Sequence, residues 1–260
     1  MNTILQTALD LTELSRAMQI AREAVLGGTD WIEAGTPLIK SEGMNAVREL
    51  AKEFPNHKII ADLKTSDTGG LEVEMAAKAG ADVVCILASA DDAVILDALR
   101  GAALYGVELM ADMMNVADVA GRAKQLADMG VHIINAHVGI DQQMEGKNPL
   151  DILSEISGLG VKVAAAGGLN AQTAAAAAAA GADIVIVGAG IVKAADVEAA
   201  ARAVREAIDS PSAAKPKTKT MDDEIREILR EVSAPHVTDA LYRKGAMWGI
   251  SARHVPKKMV

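Results

Sequence analysis

Aromatic residues and cysteine are both scarce in this chain of 260 residues. Phe, Tyr and Trp together make up 2% of the sequence, so Ala, Val, Ile, Gly and Met must fill any large core. The single cysteine, Cys85, excludes an internal disulfide and a multi-cysteine zinc site, and we interpret it as a buried strand residue. This composition is typical of parallel strands covered by alanine-rich helices.

Basic clusters and long apolar runs are also missing. The formal net charge is -9, whereas a nucleic-acid-binding surface would need a concentrated basic face. No apolar run reaches the ~18 residues of a membrane span, and the start "MNTILQTALD" lacks the basic region of a secretory signal. We therefore expect a cytoplasmic protein that binds neither nucleic acid nor membranes.

One unit repeats eight times along the chain: a short apolar run, a polar or glycine-bearing turn, and a helix-like segment. The apolar runs are "ILQTALD", "WIEAGT", "KIIADLK", "DVVCILA", "VELMADM", "HIINAHVG", "VKVAAAGG" and "DIVIVGAG". Eight such units predict an α/β protein with a (β/α)8 TIM barrel over residues 1–209. An open doubly wound sheet is the alternative, but its glycine-rich first turn is absent from "ALDLTEL".

The chain continues beyond the predicted barrel. Residues 210–220 are rich in Pro, Ser, Ala and Lys and predict a flexible linker. Residues 221–260 resume a helical pattern, which predicts a short C-terminal helical extension. About 40 residues are too few for an independent core.

Polar residues follow most of the predicted strands at the point where each strand ends. They are Asp10 after strand one, Glu33 after two, Asp62 and Lys64 after three, Asp112 after five, and Asn135 and His137 after six. In a barrel of this kind, the carboxyl ends of the strands form the active site. These residues are therefore the candidates for chemistry.

Glu33 and Asp62 end neighbouring strands and could converge on one hard cation. Mg²⁺ usually takes one or two carboxylates and leaves its other positions to water or substrate. The alternative is that both carboxylates simply form ion pairs with Lys64. Ion pairing alone does not explain why all three residues stand at strand ends.

Lys64 and His137 are the candidates for charge stabilisation and proton transfer. Strand alternation places Lys64 on the same face as Asp62, and His137 on the same face as Asn135. We expect Asp62 and Asp67 to hold Lys64 protonated, so that it stabilises an oxyanion rather than forming a Schiff base. His137 can move a proton at neutral pH.

Glycines gather after strands seven and eight, in "AAAGGLN" and "IVGAGIV". Backbone N–H groups at these positions of a barrel commonly bind phosphate, because the lack of side chains lets the anion approach. The candidate phosphate-binding residues are Gly167, Gly168, Gly188, Ala189 and Gly190. Together they predict a phosphorylated substrate.

Six stretches together resemble the orotidine-monophosphate-decarboxylase suprafamily of phosphate-binding barrels, over residues 1–209. They are "ALD", "EAGTPLI", "ADLKTSDTGG", "HVGIDQQ", "AAGGLN" and "VGAGI". The Asp-x-Lys-x-x-Asp motif of Asp62, Lys64 and Asp67 is the signature of that suprafamily. Glu33 within "EAGTPLI" is similar to the glutamate of its metal-dependent branch.

That branch contains hexulose-phosphate synthases and 3-keto-L-gulonate-6-phosphate decarboxylases. The decarboxylases carry an arginine shortly after the strand-six histidine, whereas "HVGIDQQ" has none and looks like the synthases. The resemblance implies aldol condensation of formaldehyde with D-ribulose 5-phosphate to D-arabino-hex-3-ulose 6-phosphate, or the reverse cleavage. A decarboxylase and a non-catalytic regulator that binds sugar phosphates remain alternatives. The sequence does not determine whether the aldol reaction runs toward condensation or toward cleavage.

The same resemblance implies a role for each motif residue. Glu33 and Asp62 would bind Mg²⁺, Lys64 would stabilise an enediolate, Asp67 would reach the partner's site in a homodimer, and Asp10 would contact substrate hydroxyls. His137 is our hypothesis for the base that removes the proton from carbon 1.

Residues 221–260, particularly "VSAPHVTDAL", resemble the start of a ribonuclease-E-regulator-like (RraA-like) domain. Either the chain is a fragment of a longer protein that contains this domain, or the segment is a docking element.

Overall fold

Eight parallel strands close into a barrel in a computed structural model that describes residues 3–139 and 148–210. The strands are β1 (Ile4–Leu9), β2 (Trp31–Ala34), β3 (Lys58–Thr65), β4 (Val83–Leu87), β5 (Glu108–Asp112), β6 (Ile133–His137), β7 (Lys162–Ala166) and β8 (Ile184–Val187). β1 pairs with both β2 and β8, so the sheet has no edge. The predicted (β/α)8 barrel is confirmed, and the open sheet is wrong.

Helices cover the outside of the barrel. They are α1 (Leu14–Leu26), α2 (Thr36–Glu42), α3 (Asn45–Glu53), α4 (Gly69–Ala79), α5 (Asp92–Tyr105), α6 (Val119–Met129), α7 (Pro149–Ile156), α8 (Ala171–Ala179), α9 (Ala189–Val192) and α10 (Val197–Asp209). The short helices α2 and α9 were not predicted, because seven and four residues hardly show a helical period. The alanine run forms α8, whose start is capped by the Asn170 side chain.

The predicted linker from residue 211 onward and the C-terminal segment lie outside the described residues. Within the described ranges, no helix is long and apolar enough to cross a membrane.

Alternation along each strand divides the buried apolar residues into two groups. One group faces outward and packs beneath the helices, with Ile32, Val84 and Leu109 as examples. A smaller group, which includes Ile60 and Met110, fills the barrel interior. Burial on both faces explains why the strands read as nearly continuous apolar runs.

The amino-terminal end of the barrel is held by a repeated hydrogen bond. The residue that precedes each even-numbered strand accepts from a backbone N–H of the strand before it. The pairs are Asp30 with Leu5, Asp82 with Ile59, His132 with Leu109, and Asp183 with Val163, at 2.8 to 3.0 Å. These bonds fix the register of neighbouring strands.

Charged and aromatic side chains close that same end. Glu108 accepts from Lys58 Nζ at 2.5 Å and from Lys162 Nζ at 2.8 Å. The two ammonium groups lie 5.0 and 6.0 Å from the ring centroid of Trp31. This end serves stability, which leaves the carboxyl end of the strands for a functional site.

Candidate active site

A cavity of about 760 Å³ opens at the carboxyl end of the strands. All the residues predicted for the site line this cavity, except Asp67. They are Asp10, Glu33, Asp62, Lys64, Asp112, Asn135, His137, Gly167, Gly168, Gly188, Ala189 and Gly190. Motifs from seven different strands therefore meet in one space.

Lys64 enters the cavity through an irregular backbone. The pairing of β3 with β4 shifts register between Asp62 and Thr65, and Lys64 itself has φ 49°. Strand alternation predicted that Lys64 and Asp62 share a face. Because the strand is irregular here, alternation is not the reason that they do. A positive φ is unfavourable for lysine, and such strain is concentrated at functional sites.

The Lys64 ammonium group bridges two carboxylates. Its Nζ lies 2.9 Å from Asp62 Oδ2 and 3.0 Å from Asp112 Oδ2. Burial favours the neutral amine, but the charges of Asp62 and Asp112 outweigh it and raise the pKa of Lys64 well above its ordinary value. The expected ammonium form is supported, yet the expected second partner is wrong. Asp67 is exposed, and its carboxylate accepts from the backbone N–H of Thr68.

Asp112 is the residue to which the sequence argument gave no role. It is 1% exposed, and Oδ2 lies 2.7 Å from His137 Nδ1 as well as 3.0 Å from Lys64. Burial would raise the pKa of Asp112, but the hydrogen bond and charge of His137, with Lys64, lower it to about 2. Its position at the end of β5 was the available signal, and its link to Lys64 was not visible in the sequence.

The ionised Asp112 carboxylate fixes the orientation of His137. A carboxylate without a proton can only accept, so His137 Nδ1 must carry the hydrogen and donate it. In the neutral ring this leaves Nε2 as the basic atom. The geometry therefore suits His137 for taking up a proton within the cavity.

Thr36 fixes the carboxylate of Asp62. Its hydroxyl lies 2.7 Å from Asp62 Oδ2 and 2.9 Å from the Asp62 carbonyl oxygen. Thr36 is the first residue of α2, and both residues are buried. The unpredicted helix α2 thus positions a side chain of the site.

Glu33 is buried without a cationic partner among the residues that the structure describes. Its Oε2 accepts from Gln6 Nε2 at 2.5 Å. Burial and the charges of Asp62 and Asp10 raise the pKa of Glu33 well above its ordinary value. The alternative in which Glu33 pairs with Lys64 is not observed, and the cavity carries an excess of negative charge beside Glu33.

Excess carboxylate charge and hard oxygen donors suit a divalent cation. Donor atoms of Asp62, Cys85 and Asp112 also lie within 4.8 Å of one another. Lys64 already neutralises both carboxylates of that group, and burial keeps the pKa of the Cys85 thiol well above its ordinary value. Among the buried carboxylates of the cavity, Glu33 is the one that has no cationic partner within the described residues.

Asp10 lines the cavity and lies between two glycines. A Cβ on Gly35 would come within 2.3 Å of Asp10 Oδ1, and one on Gly188 within 3.3 Å of Oδ2. Desolvation and the charge of Asp62 raise the pKa of Asp10. Gly35 must therefore remain glycine for Asp10 to keep this position.

The loops after β7 and β8 form the cavity wall next to Asp10. Gly167 and Gly168 have φ 113° and 65°, which other residues rarely adopt. A Cβ on Gly190 would lie 2.6 Å from the Leu169 carbonyl oxygen.

Buried Asn135 Oδ1 has no hydrogen-bond partner within the described residues, so it is available to a ligand.

Comparisons with known proteins agree with this geometry. Residues 3–204 match the family model described as orotidine 5'-phosphate decarboxylase / HUMPS family. The chain is 39% identical over 206 residues to 3-hexulose-6-phosphate synthase of Bacillus subtilis, covering 78% of this chain and 98% of that protein. It is 41% identical over 198 residues to the enzyme of the same name from Methylomonas aminofaciens, covering 75% and 94%.

A solved structure of the same kind of enzyme also resembles the chain. The crystal structure of 3-hexulose-6-phosphate synthase from Salmonella typhimurium superposes with a TM-score of 0.75 at 34% identity, covering 80% of this chain and 98% of that one. The family model covers more than half of the chain, and the synthases cover most of their own length. The chain belongs to the orotidine 5'-phosphate decarboxylase / HUMPS family.

Proposed function

We propose that this chain is a 3-hexulose-6-phosphate synthase, a lyase that joins formaldehyde to D-ribulose 5-phosphate. The product is D-arabino-hex-3-ulose 6-phosphate, and the reverse cleavage would use the same groups. Relatives of that name at about 40% identity support the proposal. The observation that carries it is the meeting of Glu33, Asp62, Lys64 and His137 in one cavity with the glycine loops.

Glu33 and Asp62 would hold Mg²⁺ in this proposal. The raised pKa of Glu33 and its lack of a cationic partner within residues 3–139 and 148–210 support this assignment. Bound Mg²⁺ would polarise the ketone of the substrate and acidify the hydrogen on carbon 1. Thr36 and Gln6 keep the two carboxylates in place through their hydrogen bonds.

Lys64 stabilises negative charge on the substrate oxygens as the carbon 1 hydrogen leaves. Its ammonium group is fixed by Asp62 and Asp112 before substrate arrives, so no reorganisation is needed during reaction. A Schiff base would need a neutral amine, and the raised pKa of Lys64 disfavours one. The enediolate then attacks formaldehyde through carbon 1.

His137 removes the carbon 1 hydrogen through Nε2, while Asp112 holds the ring. We expect His137→Asn to slow deuterium exchange at carbon 1 of ribulose 5-phosphate by roughly 10²- to 10⁴-fold, the usual contribution of a general base. Proton NMR in heavy water, without formaldehyde, measures this rate directly.

His132→Asn is the matched control, because His132 precedes the same strand at the closed end of the barrel. It should leave the exchange rate unchanged. Unaltered exchange in His137→Asn would reject His137 as the base.

The glycine loops hold the substrate phosphate. Gly167, Gly168, Gly188, Ala189 and Gly190 line the cavity wall after β7 and β8, where backbone groups can approach an anion. Asp10 and Asn135 would contact the sugar hydroxyls between the phosphate and the reacting carbon.

A homodimer would bring Asp67 to the partner's cavity. Asp67 is exposed and lies outside the cavity of its own chain. On the helix that follows it, α4, Leu71 and Met75 are 56% and 46% exposed one turn apart. An exposed apolar stripe beside Asp67 supports a self-association surface there.

Mixing two inactive variants tests the shared site. Lys64→Ala lacks the ammonium group and Asp67→Ala lacks the donated carboxylate, so one site of each mixed dimer is intact. After unfolding and joint refolding, we expect about a quarter of wild-type activity from random pairing of subunits. No recovery in the mixture, with both variants folded and dimeric, would mean that Asp67 acts elsewhere.

The assay for the whole proposal is magnesium-dependent condensation of formaldehyde with ribulose 5-phosphate by the purified full chain. Decarboxylation of 3-keto-L-gulonate 6-phosphate is measured beside it. We expect condensation to dominate. Activity on the second substrate alone would assign the chain to the decarboxylases.

A further inference from the structure

Lys193 is a cationic side chain at the cavity that the roles assigned above do not use. It follows α9 directly, and its backbone N–H donates to the Ala189 carbonyl oxygen at 3.1 Å. Residues four apart on a helical turn lie on one side, so Lys193 shares the side of Ala189. Lys193 lines the same cavity as the glycine loops.

The charges of the cavity make this lysine important. Among the residues that the structure describes, four carboxylates line it, from Asp10, Glu33, Asp62 and Asp112, whereas Lys64 and Lys193 are the only lysine or arginine residues that do so. Lys64 is bound to two of those carboxylates. With Lys64 and the Mg²⁺ that Glu33 and Asp62 would hold, these four carboxylates still leave one net negative charge, so an entering phosphate dianion would meet repulsion unless another cation balanced it.

Lys193 is free to provide that balance. It is exposed, and it forms no ion pair with any residue in 3–139 or 148–210. Burial and Asp62 raise the pKa of Asp10, and the charge of Lys193 is among those that oppose the rise. The ammonium group of Lys193 therefore acts electrostatically on Asp10, which lies next to the loop of Gly188.

We propose that Lys193 binds the phosphate of the sugar-phosphate substrate and completes the cup formed by the glycine loops. The inference rests on the proposed function for the identity of the substrate, but not for the binding of phosphate. Lysine serves as a point charge for phosphate, and a flexible, exposed lysine can follow the group as it enters. Its contribution is to binding, at a distance from the reacting carbon.

Two measurements on the full chain test the inference. We expect Lys193→Gln to raise the KM for ribulose 5-phosphate and the Kd for inorganic phosphate by roughly 10- to 100-fold, with kcat nearly unchanged, as for a lost charge-assisted hydrogen bond. Lys193→Arg should recover most of the affinity. Added salt should weaken phosphate binding more in the wild type than in Lys193→Gln.

Lys124→Gln is the control, because Lys124 is an exposed lysine on α6 that pairs with Asp128 away from the cavity. It should change neither constant. If wild type and Lys193→Gln share the same KM and phosphate Kd, or if only kcat falls, the inference is overturned. Lys193-dependent phosphate binding without any condensation would reject the proposed function and leave the inference standing.

Discussion

Lys64→Met is expected to lower kcat for condensation by on the order of 10³-fold, equivalent to about 4 kcal/mol of transition-state stabilisation. In the proposed mechanism the ammonium group is the fixed positive charge beside which charge develops on the enediolate oxygens; Asp62 and Asp112 hold it in place. Methionine has a similar length and no charge. Steady-state kinetics with both substrates saturating measures the loss.

Lys58→Met provides a matched control on the same strand. Lys58 also pairs with a carboxylate, Glu108, but at the closed end of the barrel. The Lys58→Met variant should keep the wild-type kcat even if the substitution lowers the free energy of unfolding. Because Lys64→Met leaves Asp62 and Asp112 facing each other, its fold must be checked by circular dichroism and phosphate binding. A folded Lys64→Met enzyme with wild-type kcat would contradict the assigned role.

Glu33→Gln is expected to remove activity and to stabilise the metal-free protein at neutral pH. The loss of this proposed metal ligand should cost roughly 10³-fold in kcat at fixed magnesium. The gain in stability follows from the raised pKa of Glu33. Above the pKa of an unfolded glutamate, the unfolded chain releases this proton more readily than the folded one, so stability falls as pH rises.

Thermal unfolding without metal, from pH 4 to pH 8, measures this difference. The Tm of Glu33→Gln should match that of the wild type near the pKa of an unfolded glutamate, about 4.3, and exceed it increasingly toward neutral pH. Added magnesium should raise the Tm of the wild type but not of the variant. Glu155→Gln, at an exposed position on α7, should behave as the wild type. A lower metal-free Tm in Glu33→Gln at neutral pH would show that Glu33 is stabilised by contacts other than a cation.

Most of the fold could be predicted because each βα unit repeats the same local signals. Apolar runs set the strands, and glycines such as Gly80, Gly106 and Gly130 end helices in the left-handed conformation. The rule that polar residues gather at the carboxyl ends of barrel strands located the cavity. The short helices α2 and α9 were not predicted, because seven and four residues are too few to show a helical period.

The contacts within the site could be predicted less well. Sequence proximity suggested Asp67 as the second partner of Lys64, whereas Asp112, 48 positions away, takes that place. The backbone shift after Asp62 and the positive φ of Lys64 decide which way the lysine points, and neither leaves a signal in composition or period. Lys193 was missed because α9, the short helix that it directly follows, was missed.

The most direct test of the central claim is deuterium exchange at carbon 1 of ribulose 5-phosphate without formaldehyde. The claim is that Lys64 stabilises the enediolate that His137 forms, beside a cation that Glu33 and Asp62 would hold. Proton NMR in heavy water should show exchange of a carbon 1 hydrogen with magnesium, loss of exchange after chelation, and no exchange in Lys64→Met. Exchange that persists without metal, together with a borohydride-trapped adduct on Lys64, would contradict the account.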